Sequence, residues 1–423
     1  MNQIKERWIV GLALFSMFFG AGNVIFPPFL GMQAGYLWLP AFISYYLADI
    51  GLALLAIFAM LKCNSDIEGI TKRIGKIPAA LLSSAIFLCV GPLLAIPRTG
   101  ATTFEMAALP LVPGMNSILF SVLFFALILG LCLKESSVVD IVGKFLTPAL
   151  FIGLLIVIAK GVINPLGGAD ALPRMANVIS TGIISGYQTM DVLAALIFGV
   201  IIFKTVEQKG YTKLEEKRRI IGGAGLVAAG GLLIVYGGLS YLGATVSQTA
   251  APDISRANLV VDIIKSLMGY AGVVIFAIVV ALACVTTAVA LVSSSATFFS
   301  RVTGGRVKYR AIVIGMCIFS AVVSNVGLET IIAVSEPILS IVYAPALTLI
   351  VLSLFGDRIK SDDVFKAAAL GATVVSLITL ANGKGLGFDF IRAFPLNEMG
   401  LAWVLPTIVC GIIGYFIGKK VRV

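Results

Sequence analysis

The chain has 423 residues, 59% hydrophobic and only 12% charged, with 44 glycines, no histidine and a formal net charge of +10; its mean hydropathy is +1.05. A soluble domain carries about 25% charged residues, so the composition excludes a soluble globule and predicts an all-α polytopic membrane protein. The missing histidine removes the commonest metal ligand and proton shuttle, and Cys63, Cys89, Cys132, Cys284, Cys317 and Cys410 lack CxxC spacing, which makes them packed free thiols rather than a disulfide or metal framework.

An apolar run of roughly 20 residues crosses a hydrocarbon core about 30 Å thick. Such runs recur at Trp8 to Gly35, Leu39 to Leu61, Ala79 to Ala101, Asn116 to Leu133, Phe145 to Ile163 and Val178 to Phe203. Six more follow at Ile220 to Val246, Gly269 to Phe299, Ala311 to Val326, Ile331 to Phe355, Val364 to Ala381 and Leu401 to Gly418, with a short helix, Ala257 to Met268, before the eighth. The first run has no small-residue cleavage pattern, so it is expected to be kept rather than removed as a signal peptide. Twelve spans predict both termini on one side. With that side cytoplasmic, all the basic residues except Arg98, Lys160, Arg174, Arg256, Lys265, Lys384 and Arg392 fall on inner loops and ends, as the positive-inside rule requires. Basicity therefore orients the chain in lipid and does not recruit nucleic acid.

The first run is interrupted at Gly20-Ala21-Gly22-Asn23 and the sixth at Ser185 to Asp191. Open backbone at membrane depth persists only where protein buries it or where it lines a cavity. Five spans lie between the start of the first run and that of the sixth, so the two broken helices cross in opposite directions. That is the layout of an inverted repeat with a site near the midplane: 8–163 as repeat one, 178–355 as repeat two, and 364–418 outside the pair.

At a broken helix the carbonyl end attracts cations and the amide end anions. Carbonyls from Ser16 to Phe19 suit a cation or an ammonium, and amides at Ala21, Gly22 and Asn23 suit a carboxylate, together a match for a zwitterion. The alternative is that Gly20 and Gly22 only permit close helix packing. In the sixth run Gly186, Tyr187, Gln188 and Thr189 offer flexible backbone and polar groups, and Asp191 is an N-cap of the second half, a functional carboxylate, or both. In the eighth run Thr286 and Thr287 offer hard oxygen ligands for sodium, or simply bond the carbonyl one turn back. Asp49, Glu105, Asp191 and Glu336 are intramembrane carboxylates and hence coupling or gating candidates. Arg98, two turns before Glu105, either pairs with it or snorkels to the outer interface.

The phrases FSMFFGAGNVIFPPFLG, GPLLAIPRTGATTFE, SGYQTMDVLAALIFG and SEPILSIVYAPAL resemble the branched-chain amino acid:cation symporters, the BrnQ-type family, which is related to the leucine-transporter-type five-plus-five inverted repeat fold. The resemblance implies import of leucine, isoleucine and valine with sodium or protons across a bacterial inner membrane, without catalysis or cofactor. In the register of that fold, Ser16 and Phe19 with Ala283, Thr286 and Thr287 would hold sodium. Phe18 would face the substrate ammonium, and Ala21 and Gly22 its carboxylate. Asn23 matches a residue of a second sodium site in some relatives, but no partner for it is evident in span seven, and that site is left unassigned. Gly186 to Thr189 are assigned only as a substrate-binding segment. Proton coupling through Asp191 or another embedded carboxylate, or another small amino acid or a nucleobase as substrate, stays open. Against a membrane enzyme stands the lack of paired carboxylates outside Asp362 and Asp363. Two broken helices fit a closed midplane site better than a channel filter, and no GxxxxGK[ST] phosphate loop is present to support direct ATP drive.

Overall fold

The computed structural model describes residues 3–63, 66–133 and 138–420, and among these it contains helices and no strand. Eight helical stretches are long and apolar enough to cross a membrane, and three shorter apolar helices, Ser117–Leu133, Phe151–Ile163 and Val404–Gly418, accompany them.

The first run folds as α1 (Gln3–Phe18) and α2 (Ala21–Ala34). Only Phe19 and Gly20 leave the helix, with Gly20 extended at φ −107°, ψ −173°. The expected four-residue opening is therefore narrower, because Ala21, Gly22 and Asn23 already form the first turn of α2. The second run is α3 (Trp38–Tyr46) and α4 (Leu52–Lys62), joined by a π-helical turn at Leu47–Gly51 that carries Asp49. Such wide turns insert a residue into the helix and re-aim what they carry.

After α5 (Ile67–Thr71), the third run is α6 (Lys76–Leu88) and α7 (Ala95–Thr103), and here the structure departs from the expected continuous span. Gly91 is non-helical at φ −95°, ψ −129°, and Leu94 at φ −130°, ψ −59°. Pro92 removes a donor and Gly91 tolerates the turn, so a third helix is interrupted. α8 (Ser117–Leu133) and α9 (Val138–Ile163) follow.

The sixth run is α10 (Val178–Thr189), N-capped by the Asn177 side chain, and α11 (Asp191–Gln208). Its break is one residue long: Met190 takes φ 70°, ψ 13°, a left-handed conformation that costs a non-glycine residue about 1–2 kcal/mol. Full burial and the bonds Met190 N to Tyr187 O and Ala194 N to Met190 O hold it. Asp191 is thus the first residue of α11 and makes no N-cap hydrogen bond, which corrects that expectation.

α12 (Leu214–Thr245) is continuous. α13 (Arg256–Val302) begins at the Ser255 cap and turns at Gly269, φ 68°, so the expected short helix before the eighth span is its first segment. α14 (Tyr309–Val323), α15 (Leu328–Leu354), α16 (Asp362–Gly383) and α17 (Val404–Lys420) complete the bundle.

Within a core shared by most of the helices, α1 and α2 pack closely against α12. An added Cβ at Gly31 would lie 1.8 Å from the Ser240 carbonyl oxygen, and one at Gly243 would lie 1.8 Å from the Pro28 carbonyl oxygen. Backbone meets backbone there, the close approach that small residues permit between membrane helices.

Candidate functional site

The two breaks face each other through Asn23, which is fully buried. Its side-chain Nδ2 lies 2.5 Å from the Phe18 carbonyl, 2.5 Å from Asp191 Oδ2 and 2.5 Å from Tyr236 Oη. One amide therefore ties the carbonyl end of α1 to the start of α11 and to α12. Span seven contributes Tyr236, one of its two tyrosines, which the sequence reading did not single out. Asn23 presents its side-chain nitrogen, a donor, to these oxygens, so this nitrogen acts as a tether between the three helices. The Phe18 carbonyl expected to face an ammonium also accepts from Gly20 N.

Arg98 reaches the same centre from α7. It is 4% exposed, and it donates from Nη1 to the Gln188 carbonyl at 2.5 Å and from Nη2 to the Thr189 carbonyl at 2.9 Å. These are the last carbonyls of α10, where partial negative charge collects. Gly22 lies beneath the guanidinium: an added Cβ would come within 2.9 Å of Nη2. Arg98 thus touches both broken helices. Neither the Glu105 pair nor the interfacial placement is observed, because the guanidinium is taken by α10. Glu105 sits on a π turn, Phe104–Ala108, and accepts from Leu328 N at 2.9 Å, tying that turn to the start of α15.

Asp49, carried by its π turn and 0% exposed, accepts at Oδ1 from Thr189 Oγ1 at 2.8 Å. Thr189 also donates to the Gly186 carbonyl at 2.6 Å. Gly186 is a packing position, since an added Cβ would meet Tyr45 O at 2.8 Å and Asp49 N at 3.1 Å. Tyr187 stacks on Tyr343 with centroids 4.6 Å apart, and Gln188 Nε2 donates to Glu336 Oε2 at 2.9 Å. Tyr187, Gln188 and Glu336 line a cavity of about 460 Å³ between α10, α15 and α16, with Lys384 at its edge.

Of the expected substrate segment in the sixth run, only Thr189 reaches the central cavity. That cavity measures about 30 Å³ and is lined by Phe18, Gly20, Gly22, Asn23, Arg98, Thr189, Asp191 and Thr287, with Val90, Ala95, Phe198 and Leu291 forming an apolar wall. It has room for an ion or water and not for an amino acid.

Of the expected sodium ligands, Thr287 lines the central cavity, while Phe19 and Ala283 border a separate small void. Thr287 lies against Gly20, where an added Cβ would be 3.8 Å from Oγ1. Thr286 Oγ1 donates to Ala283 O at 2.9 Å and to Leu282 O at 3.2 Å, the one-turn-back bond foreseen as the alternative; its lone pairs stay available. Phe19, Gly20 and Ala283 line a void of about 10 Å³ against Leu154 of α9, and Ser16 sits one turn earlier on α1, partly buried. Among the described residues no cluster of three or more His, Cys, Asp or Glu could hold a metal ion.

Residues 3–421 match the family described as Branched-chain amino acid transport protein. The chain belongs to that family. Branched-chain amino acid permease BraB of Bacillus subtilis (strain 168) is 35% identical over 434 residues, covering 99% of this chain and 97% of that one. The transporter's fold is also found in a Na+-coupled sialic acid symporter, with a TM-score of 0.64 at 15% identity over 97% of this chain and 90% of that one. Mhp1, in an inward-facing conformation, gives 0.63 at 15% identity over 98% and 91%. These likenesses show a leucine-transporter-type fold. The protein is a transporter and not an enzyme.

Proposed function

We infer that this transporter is a secondary active symporter that imports leucine, isoleucine and valine together with a cation, sodium, by alternating access. In this reading it crosses a bacterial inner membrane twelve times with both termini cytoplasmic. The repeats are residues 8–163 and 178–355, and 364–418 lie outside them.

The observation that carries the reading is the junction of the two broken helices at Asn23 and Asp191, in a chain that matches a branched-chain amino acid transport family over its whole length. A substrate carboxylate fits the amides of Ala21 and Gly22 at the start of α2, with Arg98 beside Gly22. Its ammonium fits the oxygen-rich side formed by Phe18 O and Asp191. A branched aliphatic side chain fits the wall of Val90, Ala95, Phe198 and Leu291. The cavity must widen to admit it, and the joints at Gly20, Met190 and Gly91 supply places to bend. Sodium fits the Ser16, Phe19, Ala283, Thr286 and Thr287 group, and its coordination there would bind the first break to α13 and favour closure over substrate.

The test is leucine uptake into proteoliposomes under an imposed sodium or proton gradient, for the native protein and Thr287→Ala. The expected result is sodium-driven accumulation that Thr287→Ala lowers at least about tenfold, the loss of about 1.4 kcal/mol of coupling. Accumulation independent of sodium, or an unimpaired Thr287→Ala, would remove the ion site. No accumulation of any branched-chain amino acid under either gradient would remove the function.

A further inference from the structure

We propose that Asp49 and Asp191 form one proton-binding site, a carboxylate pair that holds a single proton in the unloaded transporter and releases it when sodium binds together with the amino acid. The proposal rests on the symport reading for its second half only.

Three observations carry it. First, both carboxylates are buried, Asp49 at 0% and Asp191 at 6% exposure, and the Thr189 hydroxyl joins the two residues, donating to Asp49 Oδ1 at 2.8 Å and accepting from Asp191 N at 3.3 Å. Like charges held this near each other in a buried centre resist double ionisation, which favours one shared proton. Second, Arg98, the cation at the centre, directs its bonds to the Gln188 and Thr189 carbonyls, and its Nε has no partner. Among the described residues neither carboxylate has a salt bridge.

Third, hydrogen-bond donors are too few. Asn23 has two amide hydrogens for three oxygens, and Thr189 has one hydroxyl hydrogen for Asp49 Oδ1 and Gly186 O. Asp49 Oδ2 and the Tyr45 hydroxyl on the same helix each lack a partner of ordinary hydrogen-bond geometry. The other titratable groups that face the pair are Tyr45 and Tyr46 on the helix of Asp49, Tyr236 on α12, Tyr343 on α15 and Arg98 on α7. A tyrosine carries no positive charge in any protonation state, so among these groups only Arg98 can offset the pair.

Charge balance then sets the exchange. Unloaded, Arg98 and a singly protonated pair sum to zero. Loaded with a zwitterion and one sodium ion, the centre sums to zero only if the pair has lost its proton. The proton passes to solvent, and no covalent bond other than O–H is broken.

Two measurements test this. Infrared spectra of the sodium-free protein in nanodiscs near neutral pH should contain a protonated-carboxyl stretch that disappears at alkaline pH, and that is lost in Asp49→Asn and in Asp191→Asn. A native protein without such a band overturns the proposal, and so does a band that survives both substitutions. In weakly buffered solution, sodium added with leucine should release one proton per native transporter and none from either variant. Release of none from the native protein overturns the exchange. A titratable band in a protein that fails to take up leucine under either gradient would leave the proton site standing and remove the symport reading.

Discussion

Arg98→Met is expected to lower leucine uptake by about 100-fold or more at equal amounts of folded protein. The guanidinium is buried beside Gly22 and closes the carbonyl end of α10 through Gln188 O and Thr189 O. Met fills similar volume and provides no donor. Two carbonyls lose their partners, and the centre loses the charge that offsets Asp49 and Asp191. Removing one member of a buried charged set costs about 3–5 kcal/mol, which corresponds to a hundredfold loss or more when it falls on the transport-competent state. Arg98→Lys should restore expression and only part of the uptake, because an ammonium keeps the charge but cannot span two carbonyls as the planar fork does. Proteoliposome uptake, normalised to monodisperse protein, is the measurement. A fully active Arg98→Met would show that the link between α7 and the second break is dispensable.

Gly31→Leu is expected to prevent the transporter from being recovered as monodisperse protein. At Gly31 and Gly243 an added Cβ meets a carbonyl oxygen at 1.8 Å, far inside contact, and the obstacle is backbone, so no rotamer change relieves it. α12 would have to move away from α1 and α2, opening the crossing that holds Phe18, Asn23 and Tyr236 together. Gly130→Leu and Gly315→Leu are the matched controls, since nothing lies within 4 Å of a Cβ at either and both are exposed. Size-exclusion profiles in detergent should be lost for Gly31→Leu and kept for the controls. A normal profile and melting temperature for Gly31→Leu would contradict the close crossing.

Much of the architecture is legible in the sequence because it depends on local chemistry. Span length follows from bilayer thickness, and Gly20 and Asn23 mark the first break through their own backbone freedom and donor capacity. The same punctuation stood at Gly91-Pro92, where the third helix also opens. The surrounding apolar run masked it, since hydropathy averages over a window wider than the defect. Met190 gave no local signal at all: a methionine is held left-handed only because tertiary burial outweighs its conformational preference.

The polar centre was legible as candidates and not as a network. Asn23 finds Tyr236 across 213 residues, and Arg98 finds Gln188 across 90. No periodicity encodes such pairs. Glu105 lies at helical spacing from Arg98, yet its carboxylate, carried on a π turn, accepts from Leu328 N instead. Asp49 was marked only by being a charge in an apolar run. Its position opposite Asp191 depends on the π turn at Leu47–Gly51 and on Thr189 reaching it from α10.

Sodium and a branched-chain amino acid are expected to bind the paired breaks of this transporter with mutual reinforcement. Equilibrium binding of leucine to the purified protein as a function of sodium concentration, and of sodium as a function of leucine, tests it most directly. Thermodynamic linkage requires each ligand to tighten the other by the same factor, and the expected result is a reciprocal gain of about 5–150-fold that Thr287→Ala abolishes. Leucine affinity that stays flat from sodium-free to saturating sodium would contradict it.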